Sequence, residues 1–239
     1  ADYGGFERRA HLRYVPLAGG DAAVRQPWRP ALAYLADTFG PDAEFPELAL
    51  WWDVPESERK LVRSMIAHGV NTIDTSSCGR LFDAVASLAG LRQQTNFEGQ
   101  AAIELEAVAA DGLADGLADR YAFGIDSGTD GDTVDFRPAV ERIVADLRAG
   151  TPAPAIAARF HNTVAEAIVE VCRRLRTEEK LNRVCLSGGT FQNMKLLART
   201  LAGLRRLGFE VFVHAQTPPN DGGIALGQAV IATEILRRR

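Results

Sequence analysis

Three stretches hold residue types that could bind or process a ligand. The first is LSGGTFQN, residues 186–193. An apolar run leads into Gly188-Gly189, and a helical pattern comes next. Paired glycines permit positive φ and let a ligand approach bare peptide groups. A helix N-terminus behind them attracts an anion. The blander reading is a tight strand–helix turn, and the pattern is neither a P-loop nor GxGxxG. The second stretch is PPNDGGIALGQA, residues 218–229. Here Asn220 or Asp221 can cap the final helix, a contribution of about 1 kcal/mol. Alternatively, Asp221 is a ligand for a metal or for a phosphate-bound water. Both glycine turns come after consecutive strands, so they fall on one sheet edge, where open α/β sheets bind ligands. The pair points to a nucleotide site more strongly than either turn alone. In the third stretch, DTSSCGRLFDAVA (74–86) and FEGQAAIELE (97–106) set Asp83 and Glu104 on otherwise apolar helices. These acids could accept hydrogen bonds from ribose hydroxyls, or simply line solvated helix faces.

Other reactive residue types form no constellation. His11, His68, His161 and His214 make no HxxxH, HxH or HExxH pair, so no self-contained histidine metal site is expected. His161, beside an apolar helical stripe, reads as a satisfied, partly buried histidine ahead of a catalytic base. Cys78 follows Ser76-Ser77 near a helix start, where a thiol pKa could fall; the alternative is an inert core residue. Trp51-Trp52 is either a binding face or packing. The 3 cysteines are scattered without CxxC, which excludes a disulfide framework and a cysteine zinc site and suits the cytoplasm. Lys plus Arg is 27 against 31 Asp plus Glu, for a net charge of -4. That balance argues against a nucleic-acid partner. No apolar run approaches the roughly 18 residues of a membrane span. The first residues, Ala1-Asp2-Tyr3-Gly4, read as a cut end with further machinery upstream.

At 239 residues the chain is expected to form one large domain or two small ones. Residues 4–17 suggest a strand and turn, with Asp21 capping a short helix-like stretch behind them. Helical spacing covers 30–39, 55–69, 79–90 and 98–110, and the DGLADGLAD repeat at 111–119 reads as a surface loop with a helical turn. A hairpin is expected from 120–125 and 133–136 around SGTDGD. Further helices are expected at 137–149, ended by Gly150, and at 151–179, with the stripe Ile156, Phe160, Val164, Ile168, Val171 and Leu175. Strand 183–186, helix 191–207, strand 210–215 and helix 224–236 complete an α/β layer with a parallel pair.

Taken together, GGFERRAHLR, TSSCGRLFDAVASLAGL, FEGQAAIELEA, AARFHNTVAEAI, LSGGTFQN and PPNDGGIALGQA resemble the C-terminal carbamoyltransferase region of the HypF family of hydrogenase maturation proteins. More distant similarity extends to antibiotic O-carbamoyltransferases and the tRNA threonylcarbamoyladenosine synthase subunit. The resemblance implies a sugar-kinase/actin/heat-shock ATPase-like fold, mostly the second lobe of a two-lobe transferase domain. Residues 1–50 would be a remnant of the first lobe and 51–239 the second. It implies that Gly188, Gly189 and Asn193 meet the nucleotide, that Asp83, Gly99 and Glu104 contact ribose, and that Asp221 joins a divalent metal site at the phosphates. The histidine-rich metal motif, zinc-binding Cys pairs, acylphosphatase and adenylating domains of full-length members are absent from this sequence. The implied reaction uses carbamoyl phosphate and ATP to form carbamoyl-adenylate. The carbamoyl group then passes to the C-terminal Cys thiolate of a HypE-type acceptor, on the way to the cyanide ligand of NiFe hydrogenase. Two alternatives are a catalytically silent nucleotide-binding or interaction module, and a small-molecule O-carbamoyltransferase.

Overall fold

The computed structural model describes residues 1–109 and 119–238. The surface loop expected at 111–119 lies outside these, apart from Asp119. Chain order is β1 (Ala10–Leu12), β2 (Val15–Ala18), α1 (Asp21–Arg25), α2 (Trp28–Phe39), α3 (Ala49–Asp53), α4 (Glu56–His68), β3 (Thr72–Thr75), α5 (Cys78–Leu88) and α6 (Gln100–Val108). Then come β4 (Gly124–Asp126), β5 (Asp132–Asp135), α7 (Arg137–Arg148), α8 (Ala153–Glu179), β6 (Arg183–Leu186), α9 (Met194–Arg206), β7 (Glu210–Val213) and α10 (Ile224–Arg237).

Among the described residues the strands form three small sheets. The expected hairpin forms, with β4 antiparallel to β5 and Ile125 opposite Val134. β1 adds to it in parallel, β2 and β3 pair antiparallel, and β6 and β7 form the expected parallel pair. The main core joins Trp28, Leu32 and Leu35 of α2, Leu81 and Val85 of α5, Ile143 of α7, and Ile156, Phe160 and Val164 of α8. A smaller cluster of Val169, Leu186, Leu204 and Phe209 seats β6–β7 against α8 and α9. Buried residues before and after residue 50, among them Leu35, Leu48, Trp51 and Phe82, pack in the same cluster. No helix of the described residues is long and apolar enough to cross a membrane.

Some local expectations needed correction. Asp21 is the first residue of α1, behind Gly20, and makes no capping bond. Trp51 and Trp52 divide: Trp51 is buried and donates from Nε1 to Glu44, while Trp52 is 78% exposed. β3 and α3, of four and five residues, are too short to read in the sequence.

Candidate functional site

β6 and β7 run in register from Arg183↔Glu210 to Leu186↔Val213, so both chains leave the sheet at the same level. Ser187 and His214 emerge side by side, with His214 Nε2 2.9 Å from Ser187 Oγ and Nδ1 3.1 Å from Thr217 Oγ1. The two glycine turns meet there: Gly188 N–H donates to the Pro219 carbonyl at 2.8 Å. Gly188 has φ +107°, a conformation open to glycine and strained for other residues. Gly189 is different, since an added Cβ would be no closer than 3.8 Å to Asn220 Cβ. At Gly223 a Cβ would come within 2.9 Å of the Pro218 carbonyl oxygen, so the second turn closes tightly upon itself. Asn220 Oδ1 accepts from Gly222 N at 3.1 Å. Asn220, not Asp221, therefore stabilises the short helical turn Asp221–Gly223, and α10 has no side-chain cap. Asp221 is exposed and its carboxylate has no hydrogen bond or ion pair among the described residues.

The first turn is braced from several elements. Asn193 caps α9 by accepting from Leu196 N, and its amide nitrogen lies 2.8 Å from His161 Nε2. Desolvation pushes the pKa of the Cys78 thiol up to about 12, against a smaller lowering by neighbouring Thr190. Of the two readings of Cys78, this favours the inert one: desolvation keeps the thiol protonated as a packing residue. Glu106 on α6 accepts from the N–H groups of Met194 and Lys195 at 2.7 and 3.2 Å. The start of α9, expected to attract a ligand anion, is thus engaged by a carboxylate from this chain. What the turn itself presents is the open, exposed backbone at Gly188 and Gly189.

The residues matched to ribose contacts lie on α5 and α6, which pack together. Asp83 is buried, 2.9 Å from Arg80 Nη1, and burial raises its pKa to about 6. The Asp83 Oδ2 and Arg80 Nη1 atoms touch without hydrogen-bond alignment. Gly99 precedes α6 in the left-handed region, at φ +77°. Glu104 receives a two-pronged bond from Arg92 at 2.8 and 2.6 Å and another from Gln100 at 3.0 Å. The Arg92 hydrogen bond is the main cause holding its pKa low. Gly188, Gly189, Asn193 and Asp221 are brought to one edge. Asp83 and Glu104 are each held by a neighbouring arginine, and α6 reaches that edge through Glu106.

No group of three His, Cys, Asp or Glu side chains able to hold a metal exists among the described residues. Asp221 offers one carboxylate, and one oxygen donor group does not make a divalent-ion site. The described residues do not fit a divalent metal.

A family model described as carbamoyltransferase, Kae1-like domain, second subdomain, matches residues 1–228. The chain belongs to the HypF carbamoyltransferase family. It is 34% identical over 237 residues to carbamoyltransferase HypF of Synechocystis, covering 94% of this chain and 30% of that protein. Identity to HypF of Rhodobacter capsulatus is 38% over 232 residues, covering 97% of this chain and 29% of that one. This chain therefore spans about 30% of the length of those HypF relatives. A crystal structure of full-length HypF in a phosphate- and nucleotide-bound form superposes with TM-score 0.89 at 38% identity, over 99% of this chain and 30% of that one. HypF of T. kodakarensis, at 24% identity and TM-score 0.76, shares the fold. The fold is thus that of an ATPase-like lobe of the HypF type, as the sequence resemblance implied.

Sequence reasoning missed Ser187, His214, Thr217 and Glu106. The first two were findable, because equal strand ends in a parallel pair place the next residues together. Glu106 lies 88 residues from the helix it caps, and nothing local marks it.

Proposed function

We propose that this chain supplies the nucleotide-facing loops of a hydrogenase-maturation carbamoyltransferase. The observation that carries the reading is the joining of the two glycine turns at the carboxyl ends of β6 and β7 by the Gly188–Pro219 bond. Supporting it, a HypF relative of the same fold has been solved with phosphate and nucleotide. In this reading the exposed peptides of Gly188 and Gly189, with Asn193, contact the nucleotide of ATP or carbamoyl-adenylate. Asp83, Gly99 and Glu104 serve the ribose side, and the loop carrying Asp221 borders the site. The division into a first-lobe remnant over residues 1–50 and a second lobe over 51–239 is a proposal about ancestry; in packing, the two share one core.

The reaction proposed for the whole protein is acyl transfer. The Cys thiolate of a HypE-type acceptor adds to the carbamoyl carbon, the bond from that carbon to the adenylate oxygen breaks, and AMP leaves with the electron pair. Carbamoyl phosphate and ATP are the sources of the adenylate, and the cytoplasm is the proposed compartment. The acceptor brings the nucleophile, so this chain's contribution is binding and orientation. The lone carboxylate of Asp221 favours a second reading, a nucleotide-binding module without turnover of its own.

The test is a melting curve with and without millimolar ATP. A ligand at 100 times its dissociation constant stabilises by roughly 2.7 kcal/mol, and each kcal/mol raises Tm by about 2–4 °C at this size. A rise of several degrees is expected. Gly189→Ala has room for its methyl group in the free protein, so its ligand-free Tm should match the wild type. It should nevertheless reduce the ATP-induced rise, and Gly189→Val should abolish it. An unchanged rise in Gly189→Val would contradict the assignment.

A further inference from the structure

His161 is fully buried on α8, yet both its ring nitrogens have partners. Nδ1 lies 2.7 Å from the Ala157 carbonyl oxygen. A carbonyl only accepts, so Nδ1 carries the hydrogen and Nε2 is the acceptor. The Asn193 amide nitrogen, 2.8 Å away, donates to Nε2. That fixes the other half of Asn193, whose Oδ1 accepts from Leu196 N at 2.8 Å. Phe82 and Phe160, themselves 4.9 Å apart, pack edge-on against one side of the imidazole, at 5.3 and 6.3 Å between centroids. Burial lowers the pKa of His161 to about 4, so the neutral form with a free Nε2 lone pair persists at physiological pH.

Asn193 closes the short helical turn Gly189–Gln192 and opens α9. A rigid, buried helix therefore grips the end of an exposed glycine turn through one side-chain bond. We propose that His161 is a positioning residue: it holds the Asn193 amide, and through it the peptides of Gly188 and Gly189, in the conformation that receives the nucleotide. The inference rests on the nucleotide reading above and adds a named device to it. Without the acceptor at Nε2, the half-buried Asn193 side chain can rotate toward water, and the turn must be ordered again by the ligand. Ordering one side chain weakens binding by about three- to tenfold.

The test compares His161→Phe, His161→Gln, Asn193→Ala and the double variant His161→Phe/Asn193→Ala. Phenylalanine preserves the ring and removes the acceptor, whereas glutamine offers an oxygen in its place. Two quantities are read: amide hydrogen exchange over residues 187–196 without ligand, and the Kd for ATP by calorimetry. His161→Phe should speed exchange in that segment and weaken ATP by about three- to tenfold. His161→Gln should restore both to within about twofold. The double variant should be no worse than Asn193→Ala alone, because that change already removes the His161 bond together with the α9 cap. Should His161→Phe fail to fold, Asn193→Asp removes the amide donor while keeping an oxygen for Leu196 N. Wild-type exchange in a folded His161→Phe or Asn193→Ala, additive effects in the double variant, or no rescue by glutamine would overturn the proposal. A wild-type chain that shows the exchange pattern but binds no ATP would keep the latch and overturn the nucleotide reading.

Discussion

Asp83 and His161 are both buried and both titrate away from their usual values, in opposite senses. Asp83 rises to about 6 and His161 falls to about 4. Between pH 4 and 6 the native state holds a proton on Asp83 that the unfolded chain has released, so this residue makes stability fall as pH rises. Over the same range the unfolded chain protonates His161 while the native state does not, so stability rises with pH. Each shift corresponds to about 3 kcal/mol at 1.36 kcal/mol per pKa unit, so the two effects oppose one another in the wild type. Asp83→Asn should uncover the rising slope and His161→Phe the falling one. Urea denaturation at pH 4, 5 and 6 checks this; two variants whose stabilities change in parallel with the wild type would refute it.

At the scale of elements, the β6–α9–β7 unit was legible because its cues are local. Three apolar residues behind Arg183, a glycine pair, a helical stripe and Gly208 mark strand, turn, helix and stop in sequence order. The stripe on α8 was readable for the same reason, and Ile156, Phe160 and Val164 are indeed in the core. What could not be read was whatever the chain supplies from a distance. The fate of the α9 N-terminus depends on Glu106, and the state of Cys78 on its burial against the turn. The helix start also shifted, from 191 to Met194, because Asn193 takes the capping position. The Glu106 cap carries its own prediction. Glu106→Ala should lower stability by about 1 kcal/mol, seen as a lower urea midpoint at unchanged slope. Glu106→Gln retains an oxygen acceptor and should lose about half as much, the charge–dipole part. Equal losses in both variants would show that the charge, not the hydrogen bond, holds α9.

Across the whole molecule, the core is centred on α2, α5, α7 and α8, while the proposed site lies at its border on the small β6–β7 sheet. α10 extends from that border and buries none of its residues. Ile224, Leu226, Val230, Ile231, Ile235 and Leu236 are all exposed. Asp221 therefore sits at the base of a helix that the main core does not hold, and the bond from Gly188 to Pro219 ties its loop to the braced first turn. On the proposed reading these two turns form one nucleotide-binding edge. The most direct measurement is an AMP titration of the isotopically labelled chain followed by NMR. The amide signals of Gly188, Gly189 and Gly222 should move together along one saturating curve, with Ser187 and Asn193 moving in step and the α2–α7 core unaffected. A folded chain whose glycine-turn amides stay still at millimolar AMP, or whose shifts cluster elsewhere, would contradict it.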